Sequence, residues 1–102
     1  MKEQRKQYEV HFVPEVAERV KNDTTDGSPI YRVTAILSKS AAFDYGNGTS
    51  TEIRFDNLPN NFENVRYYDT RYYRGITNDF DGAVRELLKE QFGRNLKEIV
   101  EV

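Results

Sequence analysis

Apolar and polar positions alternate at the start of the chain. In "YEVHFV", residues 8–13, Tyr8, Val10 and Phe12 share one parity while Glu9 and His11 take the other, which is the period of a half-buried strand. Pro14 interrupts that ladder. In "PEVAERVKN", Pro14 stands where a helix starts, with Val16, Ala17 and Val20 at helical spacing. The same letters also fit a bulged edge strand, so residues 14–22 stay open between the two. "DTTDGSP", residues 23–29, is loop by composition. In "IYRVTAILS", Tyr31, Val33, Ala35 and Leu37 fall on one face, with Arg32 and Thr34 on the opposite one. Asn47-Gly48 tolerates the positive φ of a tight turn. "TEIRFD" then returns with Ile53 and Phe55 inward and Glu52, Arg54 and Asp56 outward. Residues 30–56 therefore read as a β-hairpin with a long or bulged connection, and "NLPNNFEN" as a loop.

The period changes in "NDFDGAVRELLKEQFG". Phe80, Val84, Leu87, Leu88 and Gln91 recur at helical spacing and form one stripe. Asn78 suits the N-cap, Asp79 and Asp81 suit the first turn, and Gly93 suits the position just past the end. Gly82 is the weak letter inside the helix. The β-branched tail "NLKEIVEV" predicts a last strand. Together these elements predict an α+β fold: an antiparallel sheet of about five strands, with one long helix from the C-terminal half packed on one face. At 102 residues the chain reads as a single domain, 1–102, because shorter pieces would bury too little apolar surface.

Between the hairpin and the helix lies "VRYYDTRYYRG", residues 65–75, with four of the seven tyrosines and three arginines. Val65 and Tyr67 carry the apolar signal on odd positions, Tyr72 and Ile76 on even ones, so parity flips near Asp69-Thr70. A β-bulge or a two-residue turn would do this. β-branched Thr70 resists the positive φ of the turn and favours the bulge. Either way, Val65, Tyr67, Tyr72 and Ile76 sort to a core side, with Arg74 as its polar member. Arg66, Tyr68, Arg71 and Tyr73 sort to the other. That second row alternates guanidinium and phenol. It is either a solvated strand face, where tyrosine is simply a good β-former, or a contact surface, because Tyr and Arg are enriched in binding hot spots.

Composition narrows the chemistry. Cysteine is absent, which removes disulfides, thiolate catalysis and the usual structural zinc sites. His11 is the lone histidine, no G-x-S-x-G elbow occurs, and Gly46-Asn47-Gly48 lacks the Lys-Ser/Thr of a phosphate loop. "NDTTDG", residues 22–27, resembles the start of a calcium loop, but the closing glutamate would fall at Val33. Neither catalysis nor a cofactor nor a metal site is expected. Without a signal-peptide core or a long apolar run, a cytoplasmic protein with no membrane contact is the plain expectation.

Charge is balanced at −2, with acids and bases interleaved. A nonspecific duplex-DNA binder usually carries a basic surplus. Single-stranded nucleic acid, stacked on the tyrosines, remains the alternative partner to a protein. Asp69 and Glu63 dilute the positive field there, and a protein partner is preferred. Pairing of copies through a sheet edge is a third reading. Small cysteine-free domains of this composition are common among phage and mobile-element accessory proteins, including inhibitors of host defence. The expected role is thus a binding module, an inhibitor, adaptor or regulator working through Arg66, Tyr68, Arg71 and Tyr73.

Overall fold

The computed structural model describes residues 4–39, 49–60, 62–69 and 80–102. Strand β1 (Gln4–Phe12) leads into helix α1 (Pro14–Asp23). Strands β2 (Ile30–Lys39), β3 (Thr49–Phe55) and β4 (Val65–Asp69) follow, then helix α2 (Phe80–Phe92), a 3₁₀ turn (Gly93–Asn95) and strand β5 (Leu96–Glu101). The described strands form a five-stranded sheet in the order β4-β3-β2-β1-β5, with neighbours antiparallel. This is the α+β architecture that the hydrophobic pattern predicts.

Residues 14–22, ambiguous on their letters, are helical for a local reason. Proline fixes φ and lacks an N–H, both harmless in the first helical turn. The Val13 carbonyl accepts from the Val16 and Ala17 N–H groups at 3.0 and 2.9 Å, which closes that turn. Glu15 in the first turn and Lys21 in the last complement the helix dipole. Val20 is the buried residue of this helix.

Register assembles the core. Tyr8 lies opposite Val33 and Val33 opposite Phe55, while Ala35 lies opposite Ile53. Antiparallel partners share a face, so one side of the sheet collects Tyr8, Val10, Phe12, Val33, Ala35, Ile53 and Phe55. Val20 from α1 and Phe80, Val84 and Leu88 from α2 complete the same buried cluster. Both helices therefore cover this face; among the described residues the opposite face is the more open one, although Ile36 is buried on it. Leu87 and Ala83 are also buried. Gln91, the last member of the predicted stripe, is exposed, and Phe92 makes the core contact there instead. Rings of Phe12, Tyr31, Phe55 and Phe92 meet at centroid distances of 5.0 to 6.0 Å, mostly edge to face. That geometry suits the aromatic quadrupole and supplies the bulk that a chain without tryptophan needs.

Gly93 has φ 56°, the left-handed conformation that ends a helix and that glycine adopts without strain. The turn then feeds β5. Its pairing with β1 slips between His11 and Phe12, because His11 lies opposite Glu98 and Phe12 opposite Leu96. Lys97 is the extra residue, a bulge on the outer strand. The expected N-cap at Asn78, the turn at Asn47-Gly48 and the parity flip near Asp69-Thr70 with its continuation to Ile76 lie outside the described residues. Among the described residues no helix is long and apolar enough to cross a membrane.

Candidate contact surface at the outer strand

β4 stands at one end of the sheet and pairs with β3 alone among the described strands. Val65 lies opposite Arg54, Arg66 opposite Ile53, Tyr67 opposite Glu52 and Tyr68 opposite Thr51. Ile53 and Thr51 belong to the buried row. Arg54 and Glu52 lie on the open face, where Arg54 Nη2 donates to Glu52 Oε2 at 2.6 Å. The expected sorting of this strand is thus reversed at Val65 and Tyr67, which occupy register positions on the open side. Arg66 and Tyr68 take positions in line with the core row. The reason is physical: apolar parity within one strand does not set its register, which the neighbouring strand and the connecting loop fix.

Arg66 remains exposed although it stands opposite Ile53. Its Nη1 donates to the carbonyls of Glu63 at 2.9 Å and Val65 at 3.2 Å, so the guanidinium is drawn toward the loop that precedes the strand. Tyr68 is placed by its strand position only, and Arg71 and Tyr73 lie outside the described residues. Of the four expected contact residues, Arg66 and Tyr68 are brought to one parity of β4, two residues apart.

The loop before β4 contributes a residue that the letters did not single out. Phe62 is 90% exposed. Its surroundings are tied down: Asn64 Nδ2 donates to the Pro59 carbonyl at 2.8 Å, and the Glu63 N–H donates to the Asn60 carbonyl at 3.0 Å. Asn60 adopts φ 61°, a conformation asparagine tolerates better than most residues. The one signal in the sequence was an aromatic inside the polar run "NNFEN".

Two polar clusters elsewhere hold elements together. The Tyr8 hydroxyl, buried on β1, donates to Asp81 Oδ1 at 2.8 Å. Arg85 Nε donates to both Asp81 oxygens at 3.1 and 3.0 Å, and its Nη1 donates to the Ile99 carbonyl at 2.9 Å. One guanidinium thereby links α2 to β5, and one carboxylate links α2 to β1. Burial pushes the Tyr8 phenol well above its ordinary value, and the Asp81 carboxylate pushes it further. Burial alone would raise the Asp81 carboxyl, but the Tyr8 hydroxyl and the Arg85 guanidinium outweigh it and hold the group below its ordinary 3.8. A carboxyl depressed in the folded state stabilises fully above its unfolded value, and that contribution is lost as pH falls through the folded one. Urea denaturation should therefore show Asp81→Asn less stable than the wild type near pH 7. The gap should narrow toward about pH 3; a gap constant over that range would remove Asp81 from the acid response.

The second cluster lies at the start of β2. Asp26 accepts from Arg32 and from Asn57 Nδ2, the latter at 3.3 Å. Its carboxylate is thus engaged by side chains of β2 and of the segment after β3. His11 Nε2 lies 3.2 Å from Glu9 Oε1 on the open face. Among the described residues no three His, Cys, Asp or Glu side chains converge as a metal site would require. Neither a protein-family model, nor a curated protein, nor a solved structure matches this chain.

Proposed function

We propose that the chain is a small non-catalytic binding module that acts by protein–protein contact, as an inhibitor, adaptor or regulator, through the β4 end of its sheet. The observation that carries this reading is Phe62, 90% exposed on a hydrogen-bonded loop, with the Arg66 guanidinium on the carbonyl of the next residue, Glu63. An aromatic held out by a fixed loop loses little conformational freedom on binding. Arg66, bonded to that loop, and Tyr68, on the strand that follows it, are residue types that bring large contact area and directed donors. In this reading Arg66 and Tyr68 supply the strand part of the surface and Phe62 its loop part, with Arg71 and Tyr73, outside the described residues, as further expected contacts. Size and cysteine-free composition suit an accessory protein of a phage or mobile element, an inhibitor of host defence among them.

The test compares wild type, Phe62→Ala and the double variant Tyr68→Ala/Tyr73→Ala against host proteins and against short oligonucleotides, at two salt concentrations. Loss of a true anchor costs about 2 kcal/mol or more, so each variant should weaken a protein complex by about thirtyfold or more. The melting temperature of Phe62→Ala should stay unchanged, because an exposed ring contributes little to folding. Undiminished binding by folded variants would assign the surface to solvent. Oligonucleotide binding that collapses with salt would instead point to single-stranded nucleic acid, since counterion release makes that affinity steeply salt-dependent.

A further inference from the structure

The outer strand at the other end of the sheet presents a different surface. Val102 N–H donates to the Gln7 carbonyl at 2.9 Å. In an antiparallel ladder, hydrogen-bonded and non-hydrogen-bonded pairs alternate. The pair Glu9–Val100 is thus bonded like Gln7–Val102, whereas Tyr8–Glu101 and Val10–Ile99 are not. The N–H and C=O groups of Ile99 and Glu101 therefore point away from β1, out of the sheet. Such a row is a template for another strand. One of its acceptors is occupied: the Ile99 carbonyl takes the Arg85 Nη1 hydrogen bond at 2.9 Å.

The side chains along this edge suit a second copy of the same strand. Val100 and Val102 are exposed at 37% and 73%, and lie on the open face because Val100 stands opposite Glu9. A twofold axis through Val100 would set two antiparallel β5 strands side by side. Val100 would then face its own counterpart, and Ile99 would exchange hydrogen bonds with the counterpart of Glu101. A twofold contact needs a self-complementary patch, and this register centres one on Val100, with Val102 opposite Glu98 of the second copy. The same register needs the Ile99 carbonyl to accept from the Glu101 N–H of the second copy, and although that oxygen has two lone pairs, the Arg85 guanidinium stands against it.

We infer that Arg85 guards the β5 edge: by capping the Ile99 carbonyl it keeps two copies of this chain from pairing antiparallel about Val100. Asp81 fixes the guard in place through two hydrogen bonds, and the Lys97 bulge shortens the stretch that could pair. The arrangement makes self-association a property of one side chain rather than of the whole surface.

Sedimentation analysis from micromolar to millimolar concentration tests this. Wild type should remain monomeric. Arg85→Ala should associate at least about tenfold more tightly, roughly the factor of one charge-assisted hydrogen bond. Arg85→Lys keeps a charge beside Asp81 but lacks the fork that reaches Ile99 as well, and should associate too. If circular dichroism shows Arg85→Ala unfolded, Arg85→Lys decides alone. Val100→Lys and Val100→Glu, each added to the Arg85 variant, should abolish association separately, because like charges meet across the axis. Mixed together they should restore it. Three results overturn the inference: a folded Arg85 variant that stays monomeric, association indifferent to charge at Val100, or a wild type already paired through this edge.

Discussion

Leu88→Ala should destabilise the fold by about 2–5 kcal/mol, the range for truncating a buried leucine whose surroundings relax only in part. Leu88 is 1% exposed and belongs to the cluster that joins both helices to the sheet. Urea denaturation should show a lower midpoint with little change in slope, the signature of lost stability rather than a changed unfolded state. Leu88 and Val84 lie one helical turn apart, and both meet a sheet face built from three strands. A site supported from two sides collapses poorly, which places the expected cost well inside that range rather than at its foot. A change below about 0.5 kcal/mol, typical of surface substitutions, would mean that α2 does not carry the core contact described here.

The same packing explains why α2 and the central strands were legible as letters. Each buries mainly one side, with Ile36 of β2 the exception, so burial writes itself into the sequence with the period of the element. Tyr8, Val10 and Phe12 alternate because β1 has one covered and one open face. Gly93 was legible because only its backbone conformation is demanded there. Helix α1 was not, since its ten residues bury one side chain and leave a thin apolar stripe. Register on β4 was hidden for another reason: which residues of β4 face the core depends on β3, not on β4 itself. The Tyr8 hydroxyl was predicted inside by alternation, yet its partner Asp81 is 73 residues away and no local pattern connects them. At the candidate surface, Arg66 and the tyrosines stood out as residue types, whereas Phe62 did not. A loop has no period, so its letters do not say which side chain is held out. For the same reason they do not say which is taken in.

Asn57 is the residue taken in, and replacing it carries the second large expected effect. Its side chain is 5% exposed in a segment that reads as loop. The Oδ1 atom accepts from the Arg32 N–H at 2.9 Å, and Nδ2 donates to the Ile30 carbonyl at 3.0 Å and to Asp26 at 3.3 Å. Its own carbonyl accepts from the Thr25 N–H at 2.8 Å. One side-chain amide thus satisfies the first residues of β2 from just past the end of β3 and reaches the loop after α1 through Asp26. Asn57→Ala leaves a backbone donor and a backbone acceptor without their partner. Orphaned buried groups cost about 1–3 kcal/mol each where water does not replace the partner, so a total loss of about 2–6 kcal/mol is expected.

Asn57→Asp separates shape from hydrogen bonding. The introduced carboxylate keeps the acceptor for Arg32 but loses the donor to Ile30, and it meets the Asp26 carboxylate at contact distance. At neutral pH it should therefore cost at least as much as the alanine. The neighbouring negative charge raises the new carboxyl's folded value above its unfolded one, so the penalty is present in full at high pH and shrinks as pH falls and the group protonates. Comparing urea midpoints of the two variants near pH 7 and about pH 4 resolves the two contributions. If Asn57→Asp matched the wild type at neutral pH, the amide donors would contribute nothing, and the junction would be held by the backbone bonds of the Thr25 N–H to the Asn57 carbonyl and of the Asp56 N–H to the Arg32 carbonyl, both at 2.8 Å.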